Sequence, residues 1–152
     1  MTTENVKQSI KEWIAAQVAN HPEISGIPVY LSGESADEDP PFIGIIDQGS
    51  ATAEQAGVIM YGVEEVGINV EIHTVPIVDD DSGEEGTSIT THRALEKALY
   101  RILADRNSID YLNGRNDTTI FDIRAAGPTI EADQGRRVST IQMLVIACPL
   151  NP

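Results

Sequence analysis

The chain has 152 residues, of which 41% are hydrophobic and 22% charged, and its formal net charge is −14. This balance is typical of one globular domain and differs from that of a disordered or membrane-embedded protein. The acidic surplus argues against binding to nucleic acid phosphates, which requires clustered Lys and Arg. No apolar run is long enough for a membrane helix and the first residues do not resemble a secretion signal, so we expect the protein to stay in the compartment of its synthesis.

The charges are unevenly distributed along the chain. From Glu12 to His92 there are 16 acidic residues and no Lys or Arg, whereas from Arg93 to the end there are eight basic and seven acidic residues. One interpretation is a surface that merely keeps the protein soluble. The other is that the acidic and basic halves meet across subunits of an assembly.

The first predicted element is an amphipathic helix over residues 3–19. Its apolar residues recur at helical spacing, and they are Val6, Ile10, Trp13, Ile14 and Val18. Trp13 lies on this stripe, so we expect it to be a core residue.

Predicted strands follow the helix. Short apolar runs at residues 27–31 and 42–46 flank a polar, acidic loop, and residues 47–57 are predicted to form a loop or turn. Apolar and polar residues then alternate through residues 63–75, with Val66, Ile68, Val70 and Ile72 on one face. This alternation predicts a long, half-buried strand.

Residues 76–88 are rich in charge and are predicted to form a mobile acidic loop or arm. The carboxylates in it are Asp79, Asp80, Asp81, Glu84 and Glu85. Clustered carboxylates suit Ca²⁺, but the glycine is misplaced for an EF-hand loop and the closing glutamate is missing. We therefore expect a solvated loop and no metal site.

The second half begins with a predicted helix over residues 89–104, whose apolar stripe includes Leu95, Leu99 and Ile102. A turn-rich connector at 107–116 precedes two predicted strands, 118–125 and 138–147, and the apolar run LVIA predicts that the second strand is central in the sheet. The predicted fold is α+β, with two helices packed on one face of a small, mainly antiparallel sheet, in a single domain over residues 1–152. We expect the core to bring Trp13, Val70, Leu99 and Leu144 together.

Catalytic signals are weak throughout the sequence. The three histidines, His21, His73 and His92, fall in separate elements and are expected to be ordinary, partly exposed residues. The lone Cys148 lies in an apolar run and is expected to be an inert buried thiol. Neither a nucleophile elbow nor a phosphate-binding loop is found, so the sequence predicts no enzyme and no cofactor.

The second half carries a family resemblance. The segments YGVEEVGINVEIHTV, THRALEKALYRILADR and TTIFDIRAAGPTIEADQGRRVSTIQMLVIAC together resemble the tail terminator, or tail completion, proteins of tailed bacteriophages. The resemblance extends from about residue 63 to the end, and more loosely to the first helix. It rests on a pattern of elements, without a catalytic signature.

The resemblance implies a virion protein of the tail and neck region. It would form a ring, expected to be hexameric, that caps the tail tube, stops its polymerisation and joins the tail to a head-closure or neck protein, while DNA passes through the channel without specific binding. No cofactor and no membrane are implied. The alternatives are another neck, head-closure or tail-tube component and, more remotely, a small ligand-binding or enzymatic domain.

Combined with the uneven charge, this implies two sets of candidate residues. The candidate inter-subunit cations are Arg93, Lys97, Arg101, Arg136 and Arg137. The candidate acidic interface or channel residues are Glu64, Glu65, Glu71, Asp79, Asp80, Asp81, Glu84 and Glu85.

Overall fold

A computed structural model describes residues 2–31, 41–55, 58–75, 89–133 and 136–149. Its helices are α1 (Thr2–Gln17), α2 (Ile89–Ala104) and the short α3 (Ser108–Leu112), with 3₁₀ turns at Pro22–Ile24 and Arg115–Asp117. Its strands are β1 (Val29–Leu31), β2 (Phe42–Gln55), β3 (Val58–Thr74), β4 (Thr118–Asp133) and β5 (Arg136–Pro149).

The five strands form one sheet in the order β1-β2-β3-β5-β4. β1 pairs with β2 in parallel, and the other three ladders are antiparallel. The α+β prediction is confirmed, as is the central position of the strand that carries LVIA, since β5 lies between β3 and β4.

One face of the sheet is covered by helices and holds the core. The alternating residues of β3 that were predicted to face inward, Val66 to Ile72, are at most 1% exposed. Trp13 and Leu99 join the same cluster, and the Trp13 indole donates a 2.8 Å hydrogen bond to the carbonyl of Ile102. Burying each large aliphatic side chain contributes about 1.5–3 kcal/mol, so this face supplies most of the stabilisation.

Leu144 lies on the opposite face of the sheet, and its predicted place in the core is wrong. β5 buries its odd-numbered residues from Ser139 to Ala147, and Leu144 is half-buried between its register partners Gly67 and Arg124. The four residues of LVIA are all apolar, so the run gave no alternation from which to assign a face. Cys148 was expected to be buried, but it is half-buried.

Several strands are longer than predicted. β2 continues through Asp47 to Gln55, where a loop was expected, and β4 continues past Ala125 to Asp133. The β2 extension lacks alternating apolar residues because its described side chains from Asp47 to Thr52 are exposed. Within the connector, residues Ser108–Leu112 form a helical turn that was not predicted. The acidic segment 76–88, predicted to be mobile, lies outside the described residues.

Candidate functional site

A buried polar cluster joins α2 to the ends of β3 and β5. His92 is fully buried, and its Nδ1 lies 2.7 Å from the Thr74 hydroxyl while its Nε2 lies 2.6 Å from the Ser139 hydroxyl. Ser139 in turn donates a 2.6 Å hydrogen bond to a carboxylate oxygen of Glu96, one turn further along α2. The expectation that His92 is partly exposed is therefore wrong.

The position of His92 around the axis of α2 explains why it is buried. His92 precedes Leu95 by three residues and Leu99 by seven, so it lies on the same apolar stripe of α2. A buried imidazole requires partners for both nitrogens, and the hydroxyls of Thr74 and Ser139 provide them. The helical phase would have identified this residue from the sequence, although its partners depend on the strand register.

The hydrogen-bond order defines what this cluster can do. The single hydroxyl hydrogen of Ser139 goes to Glu96, so the Ser139 oxygen accepts from Nε2–H of a neutral His92, and Nδ1 accepts from Thr74. A nucleophilic serine needs the reverse arrangement, with its hydrogen given to the imidazole and its oxygen open to substrate. The cluster thus ties three elements together and does not activate Ser139.

Burial also sets the charge of His92. Desolvation is the main reason that the pKa of His92 lies below its ordinary value; the Arg137 guanidinium lowers the pKa further, and the Glu96 carboxylate opposes both effects. The imidazole is therefore neutral at pH 7, in agreement with its hydrogen bonds.

The other histidines are partly exposed, as expected. The His73 ring stacks on Phe42 with centroids 4.4 Å apart, and its Nε2 lies 3.0 Å from a carboxylate oxygen of Glu71. His21 lies in the turn after α1. The three histidines therefore do not converge on one site.

A shallow depression of about 360 Å³ lies on the face of the sheet opposite the helices. Gly67 leaves its floor without a side chain, and the polar groups around it are Gln48, Asn69, Arg124 and Gln142. Arg124 is the one charged group of the lining, so the depression contains no acid and base pair. Elsewhere, the described residues include no group of three or more His, Cys, Asp or Glu side chains that could hold a metal ion.

The candidate cations of α2 lie on its outer surface. Arg93, Lys97 and Arg101 are exposed, and within the described parts of the chain no ion pair involves them. Arg137 is half-buried at the start of β5, near His92, and the side chain of Arg136 lies outside the description. The structure thus groups three of the five candidate cations on one exposed surface.

The candidate acidic residues are divided between locations. Glu65 and Glu71 alternate with the buried residues of β3 and so lie on the helix-free face, while Glu64 has the parity of the helix-covered face; all three are half-buried. Asp79, Asp80, Asp81, Glu84 and Glu85 fall outside the described residues.

The strand order converts the uneven charge of the sequence into a spatial division. β1, β2 and β3 come from the half without Lys or Arg and occupy one side of the sheet, while β5 and β4 occupy the other. Among the strands, α1 packs most on β2 and α2 most on β4, although α1 packs equally on the 3₁₀ turn Arg115–Asp117 that precedes β4. Among the described side chains, the strands on the first side therefore carry carboxylates and no Lys or Arg, although α1 above them carries Lys7 and Lys11. The other side carries most of the basic residues, together with a similar number of acidic ones.

The chain matches no model of a known protein family, and no curated protein is significantly similar to it. In the described part of the chain, no helix is both long and apolar enough to cross a membrane.

Proposed function

We propose that this chain is a structural subunit that assembles head to tail with copies of itself into a closed ring. The observation that carries the proposal is the division of charge between the two side edges of the sheet. Because the two edges of one subunit differ, they favour a heterologous contact, in which one edge of a copy meets the other edge of the next copy. Such contacts close into a ring when the rotation between neighbouring copies is a whole fraction of a turn. Carboxylates on one side and the exposed α2 cations on the other would attract the copies and fix their order.

The exposed cations of α2 support this arrangement. Arg93, Lys97 and Arg101 follow one another at intervals of four residues, so they form a row along the outer surface of the helix. α2 packs mainly on β4, at the side of the sheet remote from β2. This row is therefore available to the acidic side of a neighbouring copy.

The specific role we propose is that of a tail terminator. Its ring would cap the tail tube, stop tube polymerisation and bind a head-closure or neck protein, in the virion, without a cofactor. The order of elements supports this role: an N-terminal helix, a long antiparallel hairpin, a long packing helix and a closing strand pair. The same order is compatible with another neck, head-closure or tail-tube component, and binding to the end of assembled tail tubes distinguishes the two.

The helix-free face of the sheet is the natural wall of the channel in such a ring. Glu65 and Glu71 lie on this face, where their carboxylates would repel DNA phosphates and let a duplex slide without binding. Arg124 is exposed on the same face, but the Asp122 carboxylate already engages it by accepting its Nε–H at 3.2 Å.

Reversal of the α2 cations tests the proposal. Exposed ion pairs contribute only about 0–1 kcal/mol each, so single substitutions should change assembly little, whereas Arg93→Glu, Lys97→Glu and Arg101→Glu together should prevent ring formation at low salt. The far-ultraviolet circular dichroism spectrum should remain that of the wild type, because the three side chains are exposed.

The matched control adds negative charge to the acidic side of the subunit. Ala15→Glu, Ala16→Glu and Ala19→Glu change exposed positions on and after α1, and this variant should still form rings. Normal assembly of the α2 variant would show that the charge division only keeps the protein soluble.

A further inference from the structure

We infer that neighbouring copies join backbone to backbone, with β4 of one copy adding to β2 of the next so that the sheet continues around the ring. This inference rests on the proposed self-assembly and names the surface that performs it. It concerns main-chain pairing and not the side-chain charges considered above.

Among the residues that the structure describes, both edges of the sheet are open over part of their length. In the described structure, β1 covers β2 only at Ile43 to Ile45, and the β2 backbone from Asp47 onward has β3 as its one strand partner. At the other edge, the start of β4 is covered, because the Thr118 carbonyl accepts from Gly114 N–H and Ile120 N–H donates to the Asn113 side chain. This cover ends at Phe121, and an uncovered edge strand is a template for pairing with another chain.

The open parts of the two edges lie at the same level of the sheet. One row of paired residues crosses it through Asp47, Ile68, Met143 and Ala125, and another through Ser50, Val66, Val145 and Ile123. The open stretch of β2 therefore lies level with residues 121–126 of β4. If neighbouring copies are related by rotation about an axis parallel to the strands, the open stretch of β2 in one copy can lie beside residues 121–126 of β4 in the next.

The closed parts of the edges also lie at one level. The residues of β2 that β1 covers lie level with the stretch of β4 where the ladder with β5 is interrupted between Ala126 and Thr129. Pro128 falls in this interruption and has no N–H to donate to a further strand. Pairing between copies would thus be confined to the stretch where both edges are open.

Strand direction favours the same contact. The three ladders β2 to β3, β3 to β5 and β5 to β4 are all antiparallel, so β2 and β4 run in opposite directions. When a cyclic neighbour presents its β2 to β4, the new pair is antiparallel and extends the alternation without a break.

Phe121 provides an apolar anchor at this edge. It occupies the irregularity between Ile120 and Asp122, where the ladder shifts register, and its side chain is 55% exposed. An aromatic ring at this position could bury a large apolar area when a second strand pairs with the edge. The occupant is a second copy because the opposite edge of the same subunit matches in level and in strand direction.

The test compares two similar exposed residues of β4. Phe121→Asp should weaken assembly of the full-length protein at low salt by about tenfold or more in Kd, as measured by analytical ultracentrifugation. Ile130 is 54% exposed but lies beyond the interruption at Pro128, so Ile130→Asp should assemble like the wild type. Equal effects of the two substitutions, or none from either, would overturn the edge pairing.

Hydrogen exchange measures the protection of main-chain amides, which contacts between side chains alone would not change. Amides in residues 121–126 and 47–52 should exchange at least about tenfold more slowly in the assembled protein than after dissociation by dilution. Unchanged exchange in both stretches refutes the edge pairing, even if the α2 charge reversal still prevents assembly and ring formation itself stands. A wild-type chain that stays monomeric contradicts both the pairing of copies and the proposed self-assembly. The same conclusion follows if these amides are protected only when tail-tube protein is added.

Discussion

The hydroxyl oxygen of Thr74 lies 2.7 Å from Nδ1 of His92, and this buried hydrogen bond joins the last residue of β3 to the first turn of α2. The two residues stand on either side of the acidic segment 76–88. Their contact therefore holds together, at the core, the two described elements that flank this segment in the sequence.

The cluster predicts a loss of stability at mildly acidic pH. The folded state holds His92 with a pKa below that of the unfolded chain, so only the unfolded state takes up the proton as the pH falls below about 6.5. The free energy of unfolding should be highest above that pH and decrease below it, by at most about 1.4 kcal/mol per pH unit from this group. Urea unfolding at pH 7.5 and pH 5.5 measures the difference, which His92→Gln should reduce.

Removing the central hydroxyl of the cluster should destabilise the fold. Ser139→Ala leaves the buried Nε2–H of His92 without its acceptor and Glu96 without its donor, which costs about 1–3 kcal/mol. Ser25→Ala, at an exposed position in the turn before β1, is the control and should change little. Equal stabilities of the two variants in denaturant titrations would contradict the hydrogen-bond assignment.

The core under α2 should respond to loss of volume. Leu99 is fully buried against the sheet, and Leu99→Ala should lower the free energy of unfolding by about 2–5 kcal/mol through lost burial and the remaining cavity. Lys97→Ala changes an exposed residue of the same helix and should leave the unfolding midpoint nearly unaltered. A small effect of the Leu99 substitution would mean that the α2 face against the sheet is loosely packed.

Calcium should have little effect on thermal stability. A ligand that binds the folded state raises the melting temperature by mass action, and the spacing of carboxylates in residues 79–85 does not match an EF-hand loop. We expect the same melting temperature with millimolar Ca²⁺ and with a chelator. A large rise that the chelator reverses would identify these carboxylates as a metal site.

The sequence predicted the elements with strong periodicity and not those defined by pairing. α2 was predicted with its observed bounds because its apolar residues follow one helical face. The outer part of β2 could not be predicted, because its exposed side chains from Asp47 to Thr52 show no apolar alternation. Its strand conformation comes from main-chain pairing with β3.

The polar cluster was missed for a related reason. His92 is separated from Thr74 by 18 residues and from Ser139 by 47, so their contact depends on the register of β3 with β5. The helical phase alone indicates that His92 faces inward. Likewise, the charge asymmetry was visible in the sequence, but its division between two edges follows from the strand order.

The central claim is that the chain closes into a ring of its own copies. Electron microscopy of the purified full-length protein at low salt, with native mass spectrometry of the same sample, tests it most directly. The account predicts closed rings of one fixed subunit number with an open central channel. A uniform population of monomers, or open filaments without closed rings, would contradict it.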